Sequence, residues 1–387
     1  MSAERPRLAV DLLYFTGRRG GTEAYARELL PRVAERLTGV ELIGLVGRTG
    51  RAQVEPWFPG PVRTLGVDAD SRAAWAVGET LLASRAARRA GADLLWCPAN
   101  YGPSGRLVPT VVTVHDVIPW DYPHPTDLAV VSHITRFLVG RAARGARELL
   151  TVSHDAAGSV ARVLRVPPER ITVVPNGHST PPTHVPPPGS GLAGLDDGRP
   201  TVLSVGNRMP HKNVDGLLRA VALIPPGTRP RVVVTGSRAG DPLVPLVAEL
   251  GLEQDVVLLG WVTDDDLEHL YALATVYACL SFAEGFGLPV VDAMARGCAV
   301  LASDVGALRE VGGDAVEYVD PRDPAAIAAR LEHLIADGDE RDRLRALGRI
   351  RAAQFGWDQA ADATATVLAR VLRSLAGRTG RPEGGVG

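Results

Sequence analysis

Short apolar runs alternate along this chain with longer stretches in which apolar residues recur at helical spacing. Residues 8–13, 40–46, 93–97, 108–114 and 148–152 read as buried strands. After the first comes TGRRGGTEAYARELLPRVAERL, a glycine-rich loop feeding a helix on which Leu29, Leu30 and Val33 share a face and for which Thr22 is the predicted cap. Residues 72–89 likewise read as helical. Strand, loop and helix in rotation predict an α/β architecture with parallel strands. The units LLTVSHDAAGSVARVL and ITVVPNGHS close this series, with Ser153 placed to cap a helix and Asn176 and Gly177 in a turn.

The rotation resumes with TVLSVGNRMPHKNVDGLLRAV, RVVVTGSRAG and DVVLLGWVTDDDLEHLYALATVYACL. The intervening stretch is dense in Pro, Gly and Ser with almost no large apolar residue, and it reads as a linker that contributes nothing to a core. The expected division is therefore a first domain at 1–178, a linker at 179–198 and a second domain at 199–356. A helix at 357–376 opens at Trp357, and a disordered tail follows at 377–387.

Composition narrows the class. With 387 residues, 45% hydrophobic, 22% charged and a net charge of −2, the chain has the makeup of an ordinary soluble protein and no excess of basic charge toward nucleic acid. Cys97, Cys279 and Cys298 form no close Cys-x-x-Cys pair and read as buried thiols of a reducing compartment. No apolar run reaches the length of a membrane span and the N-terminus lacks a signal peptide's apolar core, so a cytoplasmic location is expected. The arginine-bearing stretches 72–89 and 136–147 read as solvated faces in preference to a membrane-surface contact.

Candidate chemistry concentrates in SFAEGFGLPVVDAMARGCA, residues 281–299. Gly285 and Gly287 let the backbone approach a ligand with its N–H groups, Pro289 suits the first helical position, and Gly297 is placed to end the helix. The helix N-terminus adds partial positive charge, so the N–H groups of Gly285, Phe286, Gly287 and Leu288 suit an anion such as a diphosphate. Glu284 would repel phosphate unless it faces something else, such as sugar hydroxyls. A second carboxylate, Asp292, stands eight positions on.

Elsewhere, His115 and Asp116 follow a strand at its carboxyl end, the edge where open α/β sheets place ligands. Gly20 and Gly21 lie in the first glycine-rich loop, which lacks the full dinucleotide fingerprint, so cofactor redox chemistry is disfavoured. Arg208 and Lys212 fall in a polar turn after a strand. Asp264, Asp265 and Asp266 follow Thr263 and read as a capped first helical turn instead of a metal site. No metal-ligand cluster is visible, and neither metal nor cofactor is expected.

The set of Lys212, Gly236, Glu284 with its glycine turn, Asp292 and Glu310, in that order, resembles the family 4 glycosyltransferases of the GT-B fold. The resemblance implies two Rossmann-like, doubly wound parallel-sheet domains facing each other across a cleft, the C-terminal helix crossing back to the first. It implies a retaining, metal-independent hexosyltransferase that uses a nucleotide-sugar donor and a glycan, glycolipid or small-molecule acceptor, with a lean toward mannosyl or rhamnosyl transfer. By the same resemblance Glu284 and His115 contact the donor sugar, and Asp116 supports the site or the acceptor. Asp292 binds the ribose, Lys212 and Arg208 neutralise the diphosphate, and Gly20 and Gly21 lie against donor phosphate or acceptor. The family carries a glutamate where Asp292 stands, and counting back from Lys212 places either Asn207 or Arg208 at its arginine. An epimerase or phosphorylase on the same fold, and a noncatalytic nucleotide-sugar-binding protein, are the alternatives.

Overall fold

The computed structural model describes residues 5–17, 20–68, 75, 78–103, 107–123, 129–237 and 240–379. The chain forms two compact units, one of Met1–Gly177 with Gly356–Gly387, the other of His178–Phe355.

The first unit is built on β1 (Arg7–Leu12), β2 (Glu41–Val46), β3 (Val62–Thr64), β4 (Leu94–Cys97), β5 (Thr110–Thr113), β6 (Glu148–Thr151) and β7 (Ile171–Val173). They form one sheet in the order β3-β2-β1-β4-β5-β6-β7, with every pairing parallel. Helices cover both faces of such a sheet, which is why its central strands are apolar at nearly every position instead of alternating. Leu8, Val10 and Leu12 on β1 and Leu94 to Trp96 on β4 are fully buried. The strand β3 left no apolar run in the sequence because two of its three residues are exposed.

Two boundaries differ from expectation. The first long helix, Gly20–Arg36, already includes Thr22, so that threonine lies inside the helix and does not cap it. The C-terminal helix runs Trp357–Thr379, so residues 377–379 are helical; 380–387 lie outside the described residues, as does most of 72–77 in the stretch expected to be helical. This helix belongs to the first unit. Arg36 on the helix Gly20–Arg36 pairs with Asp358 at 2.9 Å and with Asp362, and Arg370 donates to Glu148 at 2.7 Å. Gly177 makes the approach possible, since a Cβ there would lie 2.2 Å from the Trp357 backbone nitrogen. Ser153 accepts from the Ala156 N–H and caps His154–Leu164.

The second unit carries β8 (Thr201–Val205), β9 (Arg231–Ser237), β10 (Val256–Gly260), β11 (Val276–Cys279), β12 (Ala299–Ser303) and β13 (Glu317–Val319). The sheet order is β10-β9-β8-β11-β12-β13, again all parallel. Strand order reverses between β8 and β11, and a crevice opens at the carboxyl ends of the strands at such a switch point. In the first unit the reversal falls between β1 and β4.

The proline-rich stretch expected to be a linker is part of the second unit. Leu192 and Leu195 are buried, the Gly189 N–H donates to Asp266 at 2.9 Å, and Arg231 donates to the Leu195 carbonyl at 2.5 Å. Two buried leucines anchor the stretch, and Asp266 and Arg231 hold polar groups on either side of them. The chain therefore passes between units at Gly177/His178 and returns at Phe355/Gly356. Thr263 accepts from the Asp266 N–H, so the run of three aspartates is a capped helix start, as its spacing predicts.

Candidate active site

The loops that follow β8 and β11 meet because their strands are neighbours across the switch point. The first loop ends in a turn, Pro210–Lys212, after which Asn213 takes φ +52°, a left-handed conformation that asparagine tolerates better than most residues. The buried Asn213 amide donates to the carbonyls of Leu280 (3.0 Å) and Pro321 (2.8 Å), and the Phe282 N–H donates to the His211 carbonyl at 2.7 Å. These bonds suture the two loops and bring Lys212 to Glu284.

The Lys212 ammonium donates to Glu284 Oε1 at 2.7 Å, and the Ser281 hydroxyl donates to the same oxygen at 2.6 Å. No described residue hydrogen-bonds to Oε2. Burial alone would push the Glu284 carboxyl up, but the Lys212 charge and the bonds from Lys212 and Ser281 outweigh it and hold the group below its ordinary value. Glu284 is therefore an anion, oriented by one oxygen and presenting the other.

Beyond Glu284 the chain turns at Gly287, whose φ of +97° favours glycine, and enters the helix Leu288–Ala295. A Cβ at Gly287 would also meet Leu308 Cδ2 at 2.5 Å. Leu288 is the first helical residue and Pro289 the second, and no side chain caps this N-terminus. Phe286 is buried edge-on against Phe355 at 5.6 Å. Gly297, at φ +72°, follows the helix end as expected.

Asp292 sits on this helix with Oδ1 accepting from the Ser179 N–H (2.9 Å) and hydroxyl (2.8 Å) and from Arg296 at 3.5 Å. Arg296 is itself held by Glu268 and lies over the Tyr271 ring. Burial raises the Asp292 carboxyl above its ordinary value despite the opposing pull of Arg296 and Ser179.

Arg208 corrects an expectation. Its side chain is 7% exposed and turns away from Lys212 to a bidentate pair with Asp241 (2.8 Å), with further bonds to the carbonyls of Thr235 (2.7 Å) and Gly206 (3.1 Å). Its charge and donors are used within the fold. Asn207, the other residue that counting back from Lys212 allows, lines the same recess as Lys212 and Glu284. Sequence reasoning also missed Ser281, Asn213 and Ser179. Ser281 left a signal, a hydroxyl three positions before the acid; Ser179 left none, being 113 residues from Asp292.

The remaining candidates stand in the first unit. His115 follows β5, and its Nε2 lies 2.8 Å from the Pro98 carbonyl. A carbonyl only accepts, so Nε2 carries the proton and Nδ1 is left as an acceptor. The ring packs edge-on against Tyr25 at 4.7 Å, and burial lowers its pKa to about 4, so it is neutral at physiological pH. Asp116 accepts from the Ile118 N–H at 3.0 Å and shapes the turn that follows. Gly20 and Gly21 form the exposed first turn of the helix Gly20–Arg36. A further buried acid, Asp11 on β1, had no sequence signal; burial raises its pKa to about 7.

Residues 193–351 match the family model described as glycosyl transferases group 1, and residues 19–180 match that of glycosyltransferase family 4. The chain is 34% identical to O-antigen chain mannosyltransferase B of Escherichia coli, over 69% of this chain and 71% of that protein. It is also 34% identical to the MMP alpha-(1->4)-mannosyltransferase of Mycolicibacterium hassiacum, over 61% of this chain but only 57% of the relative. Among solved structures, Anabaena HepE in complex with UDP and glucose superposes with a TM-score of 0.72 at 19% identity, over 94% of this chain and 99% of that one.

Proposed function

The chain belongs to glycosyltransferase family 4 and has the GT-B fold, and from that premise we propose that it transfers a mannosyl- or rhamnosyl-type sugar from a nucleotide-diphosphate donor, with retention of configuration, to a hydroxyl of a glycan, glycolipid or small-molecule acceptor. The mannosyltransferase relatives support the sugar, and the UDP complex of HepE supports a nucleotide donor. They do not favour the epimerase or phosphorylase alternative.

The observation that carries this reading is the Lys212–Glu284 pair at 2.7 Å beside an uncapped, glycine-led helix start. In the proposed step the bond from the sugar's anomeric carbon to the diphosphate oxygen breaks and its electron pair stays on that oxygen. The acceptor oxygen bonds to the same face of the carbon, and its proton passes to the departing phosphate. Charge grows on the diphosphate in the transition state, where Lys212 and the N–H groups from Gly285 to Leu288 stabilise it. Glu284 accepts from the sugar's hydroxyls through Oε2 and Asp292 from the ribose through Oδ2.

The test is nucleoside diphosphate release from a panel of GDP-, UDP- and dTDP-sugars with mannose-terminated and lipid-linked acceptors, the product anomer being read by NMR. Glu284→Ala should lower kcat roughly 30- to 1000-fold. Absence of acceptor-dependent release with every donor would sink the reading.

A further inference from the structure

Glu284 has two strong donors on Oε1, and they differ in how firmly each is held. Lys212 reaches it on a four-carbon stem whose side chain is 20% exposed. Under the reading above, an arriving diphosphate competes with Glu284 for that ammonium. Ser281 is different: it is 2% exposed and lies two residues beyond the end of β11. Its neighbour Phe282 is tied through its N–H to the His211 carbonyl. The Ser281 hydroxyl, 2.6 Å from Oε1, is a short, charge-assisted donor on a rigid support. An ionised carboxylate only accepts, so the hydroxyl proton points at Glu284, and the Cys279 thiol, 3.9 Å from the same oxygen, is a third and weak donor to it.

We propose that Ser281 is a positioning residue for the transfer: it holds Glu284 by Oε1 while the donor's phosphate engages Lys212, so that Oε2 stays aimed at the sugar hydroxyls. The inference rests on the functional reading above. When Lys212 turns to phosphate, the Ser281 hydroxyl at 2.6 Å is the strong donor left on Oε1, the Cys279 thiol at 3.9 Å being weak and distant, and it keeps the carboxylate from rotating. Its effect belongs to the chemical step, because the contact it aims is to the reacting sugar and not to the nucleotide.

Ser281→Ala, Ser281→Cys and Ser281→Thr are compared with the wild type in full-length protein, using whichever sugar nucleotide the donor panel identifies. Ser281→Ala should lower kcat roughly 10-fold with donor KM within about threefold, since a hydrogen bond to a charged group is lost while the nucleotide seat stays intact. The Ser281 bond is among the interactions that keep Glu284 ionised, so the acid limb of kcat/KM should move to higher pH. Ser281→Thr, which keeps the hydroxyl, should restore kcat and the limb. Ser281→Cys, which fills the space with a weak donor, should behave like the alanine variant and serves as the test if that variant does not fold. A wild-type kcat with an unmoved acid limb in Ser281→Ala or Ser281→Cys overturns the proposal. The Glu284→Ala control separates the two readings: if it too leaves kcat unchanged, the site assignment fails, whereas loss in Glu284→Ala alone refutes only the role of Ser281.

Discussion

The Lys212–Glu284 pair sets up a stability experiment in which removing the cation reverses the slope of the Glu284 contribution against pH. Lys212→Met keeps most of the apolar stem but removes the ammonium that lies 2.7 Å from a carboxylate whose side chain is only 9% exposed. Breaking a buried pair by deleting one partner costs about 3–5 kcal/mol. Lys212 is one-fifth exposed and Ser281 still donates to Oε1, so a cost of about 2–3 kcal/mol at pH 7 is expected. For a unit of this size that lowers the melting temperature by roughly 5–10 °C.

The pH dependence is the sharper readout. In the wild type the folded carboxyl lies below its ordinary value, so its contribution is present above the unfolded pKa and is lost as pH falls through the folded pKa. Without Lys212 burial dominates and the folded pKa rises above the unfolded one. The variant should then be least penalised in acid and lose stability as pH rises through the new pKa. Glu284→Gln in the same chain removes the stranded charge, and the double variant should recover most of the loss. Calorimetric melting of all four proteins between pH 4 and 8 gives the cycle. If the two single costs add within about 0.5 kcal/mol, and Lys212→Met keeps the wild-type slope against pH, the pair is not the electrostatic unit described here.

Gly287→Ala should destabilise by about 2–4 kcal/mol and weaken donor binding, because the left-handed φ and the contact with Leu308 penalise any Cβ; melting and donor titration check it, and a wild-type melting temperature would contradict the strained turn. Asp292→Ala should raise donor KM roughly 10-fold with kcat little changed, as expected for a contact made equally in ground and transition states; loss of kcat with unchanged KM would remove Asp292 from the ribose. Asp11 has a folded pKa raised to about 7, so its favourable contribution is complete below the unfolded value and is lost as pH rises through 7. Asp11→Asn should flatten that dependence and leave the first unit more stable than wild type at pH 8, which melting across pH tests. Turnover should persist in excess EDTA, because in the proposed step Lys212 and backbone N–H groups supply the positive field at the diphosphate; loss restored by magnesium or manganese would show otherwise.

What the sequence determined by itself was local. Apolar runs bounded by glycine and polar turns marked most of the strands, because a strand buried on both faces must be apolar throughout. The turn at Gly287, the helix end at Gly297 and the caps at Ser153 and Thr263 depend on backbone conformation and bonds within a few residues, so they too were legible. Glu284 stood out by the glycine turn and helix start beside it and Lys212 by the family resemblance, and both follow a strand at its carboxyl end.

Only the tertiary structure decided which charges remain for a ligand. Arg208 and Lys212 are four positions apart in one loop, yet Arg208 is taken up by Asp241, 33 residues away, while Lys212 meets Glu284, 72 residues away. The proline-rich stretch looked like a linker because its composition cannot form a core of its own, but Leu192 and Leu195 bury themselves against one the rest of the unit supplies. Ser179 in that stretch becomes the anchor of Asp292, 113 residues on. Such partners follow from the order in which strands lie side by side, and a side chain's local sequence carries no record of the strand that will become its neighbour.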